Sequence, residues 1–124
     1  MRLLLDSHAF LWGVSGDPRL STRAARAMAG RDQEVWLSHA SVWELTAKAS
    51  SGRLALPEPV AAMARNFGAR LLPITLRHIE ATADLPPHHR DPFDRLLVAQ
   101  AIEEGLTLVT VDERMHRYPV AWLW

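Results

Sequence analysis

The sequence predicts an α/β fold built around a mostly parallel sheet. Three observations carry this. Short apolar runs alternate along the chain with stretches of helical character, the pattern of βαβ units. Prolines, glycines and hydroxyl or acidic caps punctuate those stretches where helices would start and stop. Two acids, Asp6 and Asp112, each directly follow an apolar run at opposite ends of the chain. Each therefore sits where a buried strand emerges, on the rim where open parallel sheets bind ligands.

The expected strands are 2–5, 34–37, 70–74, 106–111 and 120–123, and the expected helices 8–14, 22–29, 39–51, 58–67, 76–84 and 92–104. Ser21 can cap a helix that runs through Arg23–Ala29 and stops at Gly30. Pro57-Glu58-Pro59 opens the next helix and Gly68 closes it. Thr75 can cap the one after. Asp91-Pro92 supplies an N-cap with proline at the first helical position, and Gly105 ends that helix. Residues 93–102 are apolar around most of the helix circumference, so this helix is expected to be buried on more than one side.

A chain of 124 residues suits a single domain, residues 1–124, and 48% hydrophobic content permits a real core. The absence of cysteine excludes disulfide scaffolds and thiolate metal sites, and fits a reducing, cytoplasmic compartment. No apolar run approaches a membrane span. Net charge is zero, so a polyanionic partner would have to be held by a local basic rim. Of fourteen basic residues only Lys48 is lysine, and arginine suits bidentate phosphate contacts.

Four acids are the candidate functional residues: Asp6, Glu44, Asp94 and Asp112. Asp6 and Asp112 follow strands, Asp94 lies in the first turn of the buried helix, and Glu44 lies among Val42, Trp43 and Leu45 on the helix after the second strand. Each has a plain reading as well. Asp6 and Asp112 can cap short helical turns, Asp94 suits a helix dipole, and Ser41-x-x-Glu44 fits a capping box. Gathered together they call for a cation. Two carboxylates ~6 Å apart repel by roughly 3 kcal/mol at an effective dielectric near 20, and an all-oxygen set favours Mg²⁺ or Mn²⁺. Ser7 and Thr110 could fix the carboxylates, Asp91 is a spare acid, and Arg90, Arg95, Arg114 and Arg117 flank the acids and could hold phosphates. No phosphate-binding glycine loop is present. The six histidines show no zinc spacing. Of these, His8, His39, His78 and His88 read as structural or surface residues, and His89 and His116, near candidate acids, could touch substrate. Trp122 and Trp124 alternate on the last strand, which would put them on one side as packing or as an interface patch.

Taken together, the stretches Leu3–Trp12, Ser38–Leu45 with Lys48 and Gly52-Arg53-Leu54, His89–Arg95, Leu108–Asp112 and Val120–Trp124 resemble the PIN-domain ribonucleases, and within them the VapC-type toxins of toxin–antitoxin pairs. The resemblance implies a three-layer α/β/α sandwich with a five-stranded sheet. It places the family's metal-binding acids on Asp6, Glu44, Asp94 and Asp112. It further implies RNA phosphodiester hydrolysis by water activated at a carboxylate-held Mg²⁺ or Mn²⁺, homodimerisation, and inhibition by a cognate antitoxin. Ser7 stands where the family more often has threonine. The competing expectation is a catalytically silent PIN-like module that binds RNA or protein.

Overall fold

A computed structural model describes all 124 residues. The central sheet has five strands: β1 (Arg2–Leu5), β2 (Glu34–Ser38), β3 (Arg70–Leu72), β4 (Thr107–Val109) and β5 (Trp122–Leu123). Their order is β3-β2-β1-β4-β5, and every pairing is parallel. The chain builds outward from β1 to β3, then returns to lay β4 against the free edge of β1. The strand order thus reverses between β1 and β4, which opens a crevice beyond their carboxyl ends.

Both faces of the sheet are covered, as parallel strands require. Leu3 and Leu5 point into one core with Phe10, Met28, Leu37, Leu45 and Met63. This core lies under α1 (Ser7–Ser15), α2 (Thr22–Ala29) and α4 (Val60–Phe67), and part of α3 (His39–Ser50). Leu4 points the other way, into a core with Leu97, Val98, Leu108, Met115 and Tyr118. That core is covered by α6 (Pro92–Glu104) and the short α7 (Glu113–His116), with α5 (Leu76–Ala81) packed on α6. The result is the three-layer sandwich. Alternation of three consecutive leucines over two faces is the period-2 rule of a strand buried on both sides.

The caps follow the sequence closely. Ser21, Thr75 and Asp91 cap α2, α5 and α6, and Gly68 and Gly105 end α4 and α6 in the left-handed conformation at φ 89° and 65°. Several bounds differ for identifiable reasons. Strand 70–74 stops at Leu72 because Pro73 has no N–H for the ladder. Helix 58–67 starts at Val60, since Pro59 forces Glu58 out of helical geometry. Helix 76–84 ends at Ala81 and tightens into a 3₁₀ turn, Thr82–Asp84, where Thr82 Oγ1 donates to Ile79 O at 2.6 Å. Strand 120–123 shortens because Val120 N–H bonds to Tyr118 O at 2.8 Å. Strand 106–111 is reduced to Thr107–Val109, although Thr110 N–H still reaches Leu123 O at 3.3 Å.

The expected common face for Trp122 and Trp124 is not found. Trp122 stacks on His116 of α7 with centroids 3.6 Å apart, whereas Trp124 lies beyond the end of β5 and packs edge-on against Trp12 of α1. Strand alternation no longer governs a residue outside the strand. No helix is long and apolar enough to cross a membrane.

Candidate metal centre

A cleft of about 510 Å³ opens at the carboxyl ends of β1 and β4. All four expected acids line it, as do Asp91, Ser7, Lys48 and His89, with Arg53, Arg90 and Arg114 also on its wall. A second hollow of about 490 Å³ between α1, α2 and α4 is lined by Met28, Leu20 and Phe67, and its acid, Asp17, is tied to Arg19 at 2.8 Å. Of these two, the first gathers the carboxylates.

Each acid is positioned by a helix start. Asp6 leaves β1 and caps α1, its Oδ1 accepting from Ala9 N–H at 2.8 Å. Asp112 caps α7, with Oδ1 accepting from Arg114 N–H at 2.9 Å. Asp91 caps α6 by accepting from Phe93 N–H at 2.8 Å, and Asp94 follows in the same first turn. Three helix N-termini therefore converge on one crevice, and their partial positive charge favours anions there. The capping and the clustering are compatible: each cap uses Oδ1, and the second oxygen of Asp112 faces His89 Nε2 at 3.0 Å and Arg114 Nη2 at 3.1 Å. Glu44 is the exception. Ser38, not Ser41, caps α3, so the capping box does not form, and Glu44 Oε1 instead accepts from Ser7 Oγ at 2.6 Å. Its Oε2 lies 3.4 Å from Lys48 Nζ one turn along.

Crowding shows in the acidities. Burial, then the charges of Asp91, Glu44, Asp6 and Asp112, push Asp94 up to about 7. Burial also raises Asp6, against the opposing pull of the Thr110 hydroxyl and Ala9 N–H. For Asp112 burial acts upward too, but the Arg114 guanidinium, its N–H and the His89 ring outweigh it and hold the carboxyl below its usual range. A site that cannot keep its carboxylates ionised together is one that a dication would relieve. The donor set is oxygen-rich and suits a hard cation such as Mg²⁺ or Mn²⁺. His89, Asp94 and Asp112 bring one ligand-type atom each within 4.8 Å of one another.

The PIN domain family matches residues 3–121 of this sequence. The chain belongs to the PIN-domain family. It is 35% identical over 122 residues to Ribonuclease VapC22 of Mycobacterium tuberculosis, covering 94% of this chain and 93% of that protein. In fold it is similar to VapBC2 from Rickettsia felis bound to a DNA fragment from their promoter, with a TM-score of 0.73 at 15% identity, over 100% of this chain and 99% of that one. VapBC-1 from nontypeable Haemophilus influenzae gives a TM-score of 0.68 at 14% identity, over 99% and 97% of the two chains. The likeness to VapC-type toxins of type II toxin–antitoxin systems is close.

Within this PIN domain the outer residues sort less simply than the acids. Thr110 Oγ1 accepts from Asp112 N–H at 3.1 Å and stands beside Asp6. Arg114 lies on Asp112, and Arg90 is exposed at the rim. Arg117 is exposed away from the cleft lining. Arg95, expected at a phosphate, turns away from the acids. Its guanidinium donates to the carbonyls of Thr82, Pro86 and Leu85 at 2.8, 3.0 and 3.4 Å and to Tyr118 Oη at 3.2 Å. His116 bonds to Thr110 O at 2.7 Å and does not touch the acids. His89 does: its Nε2 lies 3.0 Å from an oxygen of both Asp94 and Asp112. The sequence suggests substrate contact for His89; the structure instead sets it between two of the acids.

Proposed function

We propose that this PIN domain is a metal-dependent endoribonuclease and the toxin of a toxin–antitoxin pair. The observation that carries the reading is the concentration of Asp6, Glu44, Asp94 and Asp112 in one cleft, with Asp94 pushed up to about 7. A floor of buried and half-buried acids inside a rim of Arg53, Arg90, Arg114 and Lys48 suits a phosphodiester: the rim attracts the flanking phosphates, and the floor would hold the charge that meets the scissile one.

Asp6, Asp94 and Asp112 would hold Mg²⁺ or Mn²⁺, with Glu44 completing the set. The ion, when bound, supplies Lewis acidity toward the phosphoryl group and a nucleophile at neutral pH. Glu44 is held by Ser7 on one oxygen and by Lys48 on the other. These contacts fix its carboxylate where it would orient a water or complete the metal shell. The name of the Mycobacterium tuberculosis relative, a ribonuclease, supports RNA as substrate. The toxin–antitoxin complex from Klebsiella pneumoniae, similar in fold at a TM-score of 0.68, supports a cognate antitoxin as partner. Homodimerisation and a cytoplasmic location complete the proposal.

The test is cleavage of a mixed single-stranded RNA pool by purified protein. Activity is expected with Mg²⁺, lost with EDTA and regained with Mn²⁺. Cleavage that persists undiminished in EDTA would refute the metal-dependent reading, and binding without cleavage under any metal would favour a silent module. Ser7→Ala removes the hydroxyl donor to Glu44 and is expected to lower turnover by roughly 10-fold without shifting the melting temperature much, as losses of outer contacts do.

A further inference from the structure

His89 is buried to 4% side-chain exposure, yet it lines a cleft rich in acids and cations. Its ring is fixed at both nitrogens. Nδ1 accepts a hydrogen bond from Asp91 N–H at 3.1 Å. A nitrogen that accepts carries no proton, so the ring proton belongs to Nε2. That N–H is directed at Asp112 Oδ2, 3.0 Å away, while Asp94 Oδ2 lies at the same distance off the N–H axis. The main chain is fixed as well: His89 N–H donates to Tyr118 Oη at 2.9 Å, and that hydroxyl also receives Arg95. The ring therefore ties the first turn of α6, which carries Asp91 and Asp94, to the cap of α7.

A metal-ligating imidazole must offer a lone pair to the ion. For His89 Nε2 to do so, the proton would have to move to Nδ1, where it would confront Asp91 N–H, and the α6 cap would have to open. We propose that His89 is a positioning residue, presenting Nε2–H rather than a lone pair, which orients Asp112 and sets its spacing from Asp94 for a hard dication while staying outside the ligand set. This rests on the cation reading of the cleft. It makes the site an all-oxygen one despite the histidine at its wall.

Two measurements test it. Ring ¹⁵N spectra of histidine-labelled protein are expected to show the Nε2–H tautomer for His89 both without metal and with Mg²⁺. In the Mn²⁺-loaded protein, electron spin-echo spectra are expected to show no directly bound ¹⁴N. Calorimetry should find Mn²⁺ bound about 10–100-fold more weakly by His89→Leu, the usual cost of losing a partner of a ligand, with His89→Gln, whose amide N–H reaches a similar point, recovering most of it. Matching melting curves would establish that the variants fold. An Nδ1–H ring, a directly bound nitrogen, or a His89→Leu variant that binds Mn²⁺ as tightly as wild type would overturn the proposal. Failure of the wild type to take up any Mg²⁺ or Mn²⁺ would instead remove the cation reading, and the tautomer of the metal-free protein would still decide what the ring presents.

Discussion

Asp94→Asn is expected to stop RNA cleavage and, in metal-free protein at pH 8, to raise the melting temperature. On the proposed function, the loss of activity follows from removing a carboxylate that would hold the cation, and should exceed about 100-fold. The gain in stability follows from the acidity. Asp94 is raised from 3.8 to about 7 by burial and then by the neighbouring acids. Between those two values the folded chain holds a proton that the unfolded chain has released. Stability therefore falls as pH rises through that window, and the full cost persists above it. Burial raises Asp6 in the same direction. The Asp94 shift corresponds to roughly 4 kcal/mol. Ionic screening in an open cleft removes part of it, so a rise of about 5–10 °C is expected for the variant. Thermal melts in EDTA at pH 5.5 and 8 measure this. Wild type should melt higher at pH 5.5, the variant should show a much weaker dependence, and Mg²⁺ should restore wild type at pH 8. A wild-type protein that melts identically at both values without metal would contradict the account. Asp6→Asn should also stop cleavage but keep the α1 cap, since asparagine caps as well as aspartate.

These acids were legible in the sequence because each follows from local rules. An apolar run ending in Asp marks a strand leaving the core, and Asp91-Pro92 marks a helix start. The cap readings hold for Asp6 and Asp112, and both caps sit on the wall of the acid cleft. Glu44 lines the cleft, and Ser7, expected to fix a carboxylate, bonds to it; that the carboxylate is Glu44, 37 residues away, follows only from the pairing of β1 with β2. His89 was not legible as a bridge. Its acceptor on Asp112 is 23 residues distant and depends on α6 and α7 meeting over β4. The local half of its signal is present in the sequence, since a histidine two residues before a capping Asp can accept that Asp's own N–H. Arg95 was misassigned for a related reason. Charge next to an acid in sequence suggested phosphate, whereas the two prolines at 86 and 87 signalled a stretch whose carbonyls would need a donor from elsewhere.

Arg95→Met should be strongly destabilising, although Arg95 lies outside the cleft lining and the change leaves every acid in place. Methionine keeps the stem and removes the fork. Three carbonyls and the Tyr118 hydroxyl then lose the donors now 2.8–3.4 Å away. Hydrogen bonds to a charged group contribute about 1.5–3 kcal/mol each, and buried acceptors left unpaired add to the cost. The shared fork and partial access of water reduce the sum to about 3 kcal/mol, or a fall of roughly 10 °C. Lysine should recover only a fraction, because one ammonium cannot span carbonyls that the planar guanidinium reaches together. Arg90→Met provides the contrast. Its side chain is exposed at the rim, so stability should change by less than about 0.5 kcal/mol, while RNA affinity should fall and depend less steeply on salt. Melting curves and binding titrations at two salt concentrations separate the two arginines. If Arg95→Met melts within about 2 °C of wild type but loses RNA affinity as Arg90→Met does, Arg95 belongs to the phosphate rim after all, and the stretch between α5 and α6 is held by something other than its guanidinium.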